Sequence, residues 1–128
     1  MPRKPSDTLN DAELRLMQAL WNNGPMTVAE VVDALPKRDK VAYSTVLTTL
    51  RILERKGYVR HEERGRAYVY ETVVGRQEAQ RSTVRHLMRK FFDDSPAALV
   101  LNVIENEDLD PEELARVKRL IEEVESDD

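Results

Sequence analysis

The spacing of apolar residues changes at Gly57, and this change limits the possible folds more than any other feature of the sequence. Before it, apolar residues recur at the spacing of one helical face: Val46, Leu50 and Leu53. Beyond it, two segments rich in β-branched and aromatic residues alternate with strand-like spacing: residues 58–62 and 67–71. The sequence therefore predicts a helix from Tyr43 or Ser44 to Lys56, closed by Gly57 as a left-handed C-cap and followed at once by a β-hairpin.

Two shorter helices precede this one, and each begins with a capping box. Asn10 pairs with Glu13, and Thr27 pairs with Glu30, so that each N-cap side chain and each carboxylate can bond the other residue's backbone N–H. The first helix is predicted to run to about Asn22 and to turn four residues inward: Leu14, Met17, Leu20 and Trp21. The second is predicted to be short, about eight residues.

The turn of the hairpin is predicted at residues 63–66, Glu-Arg-Gly-Arg, which supply polar residues and a glycine. Three short helices followed directly by a hairpin are the order of a winged helix-turn-helix, in which the hairpin is the wing. We therefore expect a fold that is mostly α with a small β-hairpin.

Three further helices are predicted after Gly75: residues 76–92, residues 95–105 and a last helix from Asp110 onward. None can bury its apolar stripe alone, because about 50 residues make a thin core. Burial against a second copy would solve this, and a two-fold dimer is the commonest oligomer. The predicted dimerisation residues are apolar positions on these helices: Leu87, Met88, Phe91, Leu99, Val103, Val117, Leu120 and Ile121. The alternative is a monomer in which this half folds back on the first.

Charge is strongly segregated along the chain, although the net charge is only −4. Residues 37–66 hold nine basic and four acidic residues, a net of +5, whereas residues 101–128 hold three basic and eleven acidic residues, a net of −8. A basic segment favours nucleic acid, since each neutralised phosphate releases counterions. The alternative is that both segments are ordinary solvated surface.

These patterns together predict the organisation of the chain. Residues 1–8 are expected to form an N-terminal tail, 9–74 a winged helix-turn-helix DNA-binding domain, and 75–128 a C-terminal helical dimerisation domain with an acidic tail. The expected partners are double-stranded DNA and a second copy of the chain.

Composition excludes several other classes of site. The chain has no cysteine, which excludes disulfides, thiolate metal sites and cysteine nucleophiles, and only two histidines. We expect neither a metal nor a cofactor. No apolar run is long enough to cross a bilayer, and residues 1–10 lack an apolar segment suited to a signal peptide. The expected location is the cytoplasm, without membrane insertion.

The predicted DNA-binding residues lie on the outward face of the third helix and at the tip of the wing: Tyr43, Ser44, Thr45, Leu47, Thr48, Arg51, Arg55, Arg64 and Arg66. The hydroxyl groups can bond phosphates or base edges, and Leu47 can contact a thymine methyl group. Arg51 can bind guanine or phosphate in a bidentate fork. As alternatives, Thr45 caps the helix, Leu47 belongs to the core, and the basic turn of the wing serves solubility alone.

Two other functions are alternatives to DNA binding. An enzyme is disfavoured, because the sequence contains no Ser-His-Asp spacing, phosphate-binding glycine loop or H-E-x-x-H motif. A winged helix used as a protein-interaction module is the second alternative, because this fold does not by itself prove DNA binding.

Several blocks of the sequence resemble the BlaI/MecI/CopY family of repressors. They are the run 9–14 with Trp21, the run 44–50 continuing through 56–58, the run 65–70, and two C-terminal stretches at 98–102 and 107–109. The resemblance covers about residues 9 to 124, with the blocks in the family's order.

The resemblance implies a dimeric winged-helix repressor that binds a palindromic operator and, in the penicillinase branch, controls β-lactamase genes. It also implies induction by a membrane-bound sensor that triggers proteolysis after an Asn matching Asn102. Here Val103 follows, where the family usually has an aromatic residue, and Ile52 stands where it often has Arg. The cysteine-rich metal site of the copper-responsive branch is absent from this sequence.

Overall fold

The computed structural model describes residues 8–126, as two compact units that divide between His86 and Leu87. The first unit contains three helices, α1 (Asp11–Asn23), α2 (Val28–Ala34) and α3 (Tyr43–Lys56), and three strands, β1 (Met26–Thr27), β2 (Val59–Arg64) and β3 (Ala67–Thr72). Helix α4 (Arg76–Phe91) begins in this unit, and the second unit contains α5 (Pro96–Asn106) and α6 (Pro111–Ser126). Residues 1–7 of the predicted tail, and Asp127 and Asp128 of the acidic end, lie outside the described residues.

Both capping boxes are present. The Asn10 side chain accepts from the Glu13 N–H at 2.8 Å, and the Glu13 carboxylate accepts from the Asn10 N–H at 2.9 Å. Thr27 and Glu30 bond each other in the same way at the start of α2. Gly57 has φ 92° and ψ 13°, the left-handed conformation predicted for the end of α3.

The three strands form an antiparallel sheet in the order β1-β3-β2. In the hairpin Arg64 pairs with Ala67, so only Gly65 and Arg66 form the loop, and the predicted turn over residues 63–66 was too long. Gly65 has φ 63°, which a two-residue loop requires. The sequence did not predict β1, because its two residues carry no alternation that could be recognised.

The core of the first unit is formed by α1, α2, α3 and the sheet. In α1 the buried residues are Glu13, Leu16, Met17, Ala19 and Leu20. The predicted stripe holds for Met17, Leu20 and Trp21, which is half-buried but packs against the core, whereas Leu14 is only half-buried and Leu16 was missed. A pattern of apolar residues alone cannot reveal that the buried face of α1 includes the carboxylate of Glu13.

The helices of the second unit bury little. No residue of α5 is buried, although Ser95 caps the helix by accepting from the Ala98 N–H. Every residue of α6 from Pro111 to Glu125 is exposed. None of the described helices combines the length and apolar character needed to cross a membrane.

Candidate nucleic-acid interface

Helix α3 divides its side chains between core and solvent. Val46, Leu50 and Leu53 are completely buried, as predicted. The opposite face is exposed and is built from polar and cationic residues: Ser44, Thr45, Thr48, Arg51 and Arg55. Because the buried stripe packs into the core, α3 presents these side chains from a fixed position, as a helix that enters a DNA groove must.

The first turn of α3 faces solvent. Tyr43 is 55% exposed, and the N-cap residue Ala42 has no side chain able to bond the first N–H groups. Thr45 is the third residue of the helix and not its cap, which removes the alternative role considered for it. Uncapped N–H groups at a helix start carry partial positive charge and can bind a phosphate oxygen.

The threonine hydroxyls of α3 bond the preceding turn of the helix. Thr48 Oγ1 donates to the Ser44 carbonyl at 2.9 Å, and Thr49 Oγ1 donates to the Thr45 carbonyl at 2.8 Å. In this arrangement Thr48 offers lone pairs to its surroundings, which suits the amino group of adenine or cytosine. Donation to a phosphate requires the hydroxyl to leave the Ser44 carbonyl.

Leu47 lies between the two faces of α3. It is half-buried and packs against the core cluster, so only part of its side chain is available for a base contact. The core role considered for Leu47 therefore holds at least in part, and its contact with DNA stays a prediction.

The wing carries its two predicted arginines beside the loop. Arg64 and Arg66 are both exposed, and a guanidinium nitrogen of Arg64 lies 3.5 Å from Glu62 Oε2. The Arg64 and Glu62 side chains are 66% and 57% exposed, so this ion pair is weak and Arg64 can exchange it for a phosphate. Arg60 forms a second ion pair within the hairpin, with Glu71, which raises the pKa of the Arg60 guanidinium through its hydrogen bond and charge.

A cluster between α3 and the hairpin was not predicted from the sequence. His61 of β2 contacts Glu54 of α3 and lies against the rings of Tyr68 and Tyr70. Tyr70 is buried, and this burial, with the negative charge of Glu54 as a smaller cause, raises the pKa of its hydroxyl above the usual value. The alternation in the hairpin places Tyr68 and Tyr70 on one face, but the contact with Glu54 depends on how the hairpin folds back on α3.

The end of α3 is tied to the start of α1. Lys56 Nζ lies 2.8 Å from Glu13 Oε1, and the Glu13 side chain is only 2% exposed. One carboxylate therefore caps α1 and fixes the last turn of α3. The sequence identified only the cap.

The predicted dimerisation residues are mostly exposed in the single chain. Phe91 is 68% exposed and Leu120 54% exposed, whereas Met88 and Leu99 are half-buried. Large apolar residues outside the predicted dimerisation set are also exposed on α5 and α6: Val100, Leu101, Ile104, Leu114 and Val124. Within residues 8–126, no group of three or more His, Asp or Glu side chains is arranged to hold a metal ion.

A helix-turn-helix whose third helix presents a polar, cationic face beside a basic hairpin defines this protein as a winged helix-turn-helix protein. Residues 9–123 match the sequence profile of the family described as penicillinase repressor. The chain belongs to this family, as its sequence blocks predicted. The family consists of transcriptional repressors, which are not enzymes.

Individual relatives agree with this membership. The chain is 28% identical over 115 residues to the penicillinase repressor of Bacillus licheniformis, covering 90% of each chain. It is 41% identical over 71 residues to the transcriptional regulator BlaI of Mycobacterium tuberculosis, covering 55% of this chain and 51% of that one.

One solved structure supports the fold of the N-terminal unit. It is the solution structure of the DNA-binding domain of the repressor BlaI, which matches with a TM-score of 0.53 and 29% identity. The match covers 59% of this chain and 93% of that domain.

Proposed function

We propose that this protein is a homodimeric transcriptional repressor of the cytoplasm that binds a palindromic operator, with β-lactamase or related resistance genes as its targets. The observation that carries the proposal is the exposed polar and cationic face of α3 opposite a completely buried stripe, in a chain of the penicillinase repressor family. The contacts with DNA are assigned to the residues predicted on α3 and the wing.

The contacts divide by what each residue can reach. Arg51 has the side chain and position to bind a base edge or a phosphate, because it lies in the middle of the exposed face of α3. The first turn of α3 and the wing arginines Arg64 and Arg66 are assigned to phosphates, which position the protein without reading sequence. Two such units on one dimer read the two halves of a palindrome.

Dimerisation is assigned to residues 75–128, and the DNA-binding domain to residues 9–74. Support comes from the large apolar side chains of α5 and α6, most of which are exposed in the described chain. Several large exposed apolar side chains on neighbouring helices are typical of a protein interface.

Release from the operator is proposed to follow proteolysis at Asn102-Val103, triggered by a membrane-bound sensor protein. Both residues are exposed, and both lie within α5, where the Asn102 carbonyl accepts from the Asn106 side chain. A protease needs extended backbone, so cleavage requires α5 to open locally first. Because α5 buries none of its residues within its own chain, the cost of opening it comes mainly from the contacts proposed with the second copy.

The test is a fluorescence-anisotropy titration of the purified protein on DNA from its own promoter region and on a scrambled duplex, each at two salt concentrations. Tighter binding to the promoter DNA that weakens steeply with salt is expected. Equal, weak binding to both duplexes would refute operator recognition and favour a protein-interaction module.

A further inference from the structure

His61 links the wing to the recognition helix α3. Its Nδ1 lies 2.8 Å from Oε1 and 2.9 Å from Oε2 of Glu54, within hydrogen-bonding distance of both carboxylate oxygens. With a carboxylate as acceptor, Nδ1 carries the proton and donates. Glu54 lies one helical turn after Arg51, on the last part of α3.

The imidazole ring is held on its other sides by the wing. The centre of the His61 ring lies 4.8 Å from that of Tyr68 and 5.3 Å from that of Tyr70. Tyr70 pairs with His61 across the hairpin and is only 1% exposed. The imidazole therefore packs against a ring that is itself held in the core. Tyr68 lies next to Ala67, the residue at the end of the loop.

Apart from the pairing of Val69 and Tyr70 with β1, the hairpin has little other support from the core toward its tip. Of the six residues of β2, only Val59 is buried, and the strand is exposed from Arg60 to Arg64. The ion pairs of Arg60 with Glu71 and of Arg64 with Glu62 lie within the hairpin itself. They stiffen the hairpin but do not set its angle to α3.

We propose that Glu54 and His61 are positioning residues for DNA binding: their contact fixes the wing relative to α3, so that Arg64 and Arg66 reach the DNA backbone when α3 occupies the groove. Neither residue touches DNA. The inference rests on the proposed function and adds to it the means by which the two parts of the interface act together.

The negative charge of Glu54 allows its positioning role to be distinguished from a simple electrostatic effect on DNA affinity. Removing a carboxylate beside a DNA-binding surface favours DNA binding electrostatically, because it leaves that surface more positive. If Glu54 positions the wing, removing its carboxylate lowers the DNA affinity instead. Glu54→Ala is therefore expected to weaken operator binding about five- to tenfold and to reduce the salt slope by about one to two, the loss expected when one or two wing phosphate contacts disappear.

His61→Ala is expected to weaken binding to a similar extent. Glu54→Gln keeps an acceptor for His61 and is expected to retain most of the affinity. Glu71→Ala is the matched control, because it removes a carboxylate from an ion pair inside the hairpin. The control is expected to leave affinity unchanged or slightly raised.

The decisive comparison uses a protein without its wing tip. In the Arg64→Ala/Arg66→Ala double variant, Glu54→Ala is expected to cause no further loss, because there is no wing contact left to position. If Glu54→Ala only impaired folding, it would weaken DNA binding equally in the parent protein and in the double variant. The denaturation midpoint, measured by the fluorescence of the single tryptophan Trp21, is expected to stay close to that of the parent protein.

Two results would overturn the inference while leaving the proposed function intact: tighter binding by Glu54→Ala, or an equal loss in the presence and absence of the wing tip. The wild-type titration comes first and separates the two questions. If the wild-type protein shows no preference for promoter DNA, the proposed function fails and the positioning role fails with it.

Discussion

Replacing Glu13 by alanine tests whether one buried carboxylate joins two helices. The substitution removes the acceptor for the Asn10 N–H, a hydrogen bond worth about 1 kcal/mol. It also removes the contact with Lys56, a charged hydrogen bond worth about 1.5–3 kcal/mol when buried. The Lys56 side chain is 30% exposed and can turn to water, so the lower end of that range applies. We expect a loss of about 2–3 kcal/mol in the free energy of unfolding.

Urea denaturation followed by the fluorescence of Trp21 measures this loss in the N-terminal unit, because Trp21 Nε1 donates to the Val74 carbonyl there. For a typical urea slope the midpoint falls by about 1 M. Glu30→Ala is the matched control: Glu30 occupies the same position in the capping box of α2 but is exposed. A clearly smaller loss is expected for the control. Equal losses in the two variants would show that Glu13 acts only as a cap.

Three further predictions concern DNA binding, dimerisation and pH. Arg51→Ala is expected to weaken operator binding and to reduce the preference over random DNA, whereas Arg64→Ala weakens both alike; an equal loss on both duplexes for Arg51→Ala would exclude base reading. Leu120→Asp is expected to lower the mass in solution from dimer to monomer, measured by light scattering, and an unchanged mass would remove Leu120 from the interface. Burial raises the pKa of Tyr70 in the folded state, so folding favours the neutral phenol. The stabilisation from this neutral phenol is complete below the unfolded-state pKa of about 10. It is lost as the pH rises through the higher folded-state pKa. Tyr70→Phe is expected to lose less stability than wild type as the pH rises above about 10, and identical alkaline profiles would contradict this.

The elements of the N-terminal unit that were predictable carry strong local signals. The capping boxes at Asn10 and Thr27 fix where two helices start, and Gly57 fixes where the third ends. These positions depend on bonds between residues at most a few places apart, which the sequence displays directly. The exposed face of α3 follows from its buried stripe by helical geometry alone.

The parts that were missed depend on tertiary contacts. Strand β1 exists because Met26 and Thr27 pair with Tyr70 and Val69, residues more than 40 positions away. Glu13 is buried because Lys56 lies beside its capping site, and no helical periodicity reveals that. Polar residues that lie inside on account of distant partners are thus the main limit on assigning the core from a sequence pattern.

The two units differ in the kind of surface that they leave open, and this bears on how repression can be relieved. The N-terminal unit presents arginines and hydroxyls around a well-buried core, whereas α5 and α6 expose apolar side chains among acidic ones. Carboxylates repel phosphates, so DNA is not expected to bind α6, and apolar surface favours a second copy of the chain instead. If operator affinity depends on two linked DNA-binding units, then a cut in α5 lowers it without altering any DNA-contacting residue. The proposed cleavage site at Asn102 lies in a helix that buries none of its residues within its own chain, so a cut there acts on the proposed linkage between the two copies and leaves the proposed DNA contacts of α3 and the wing intact.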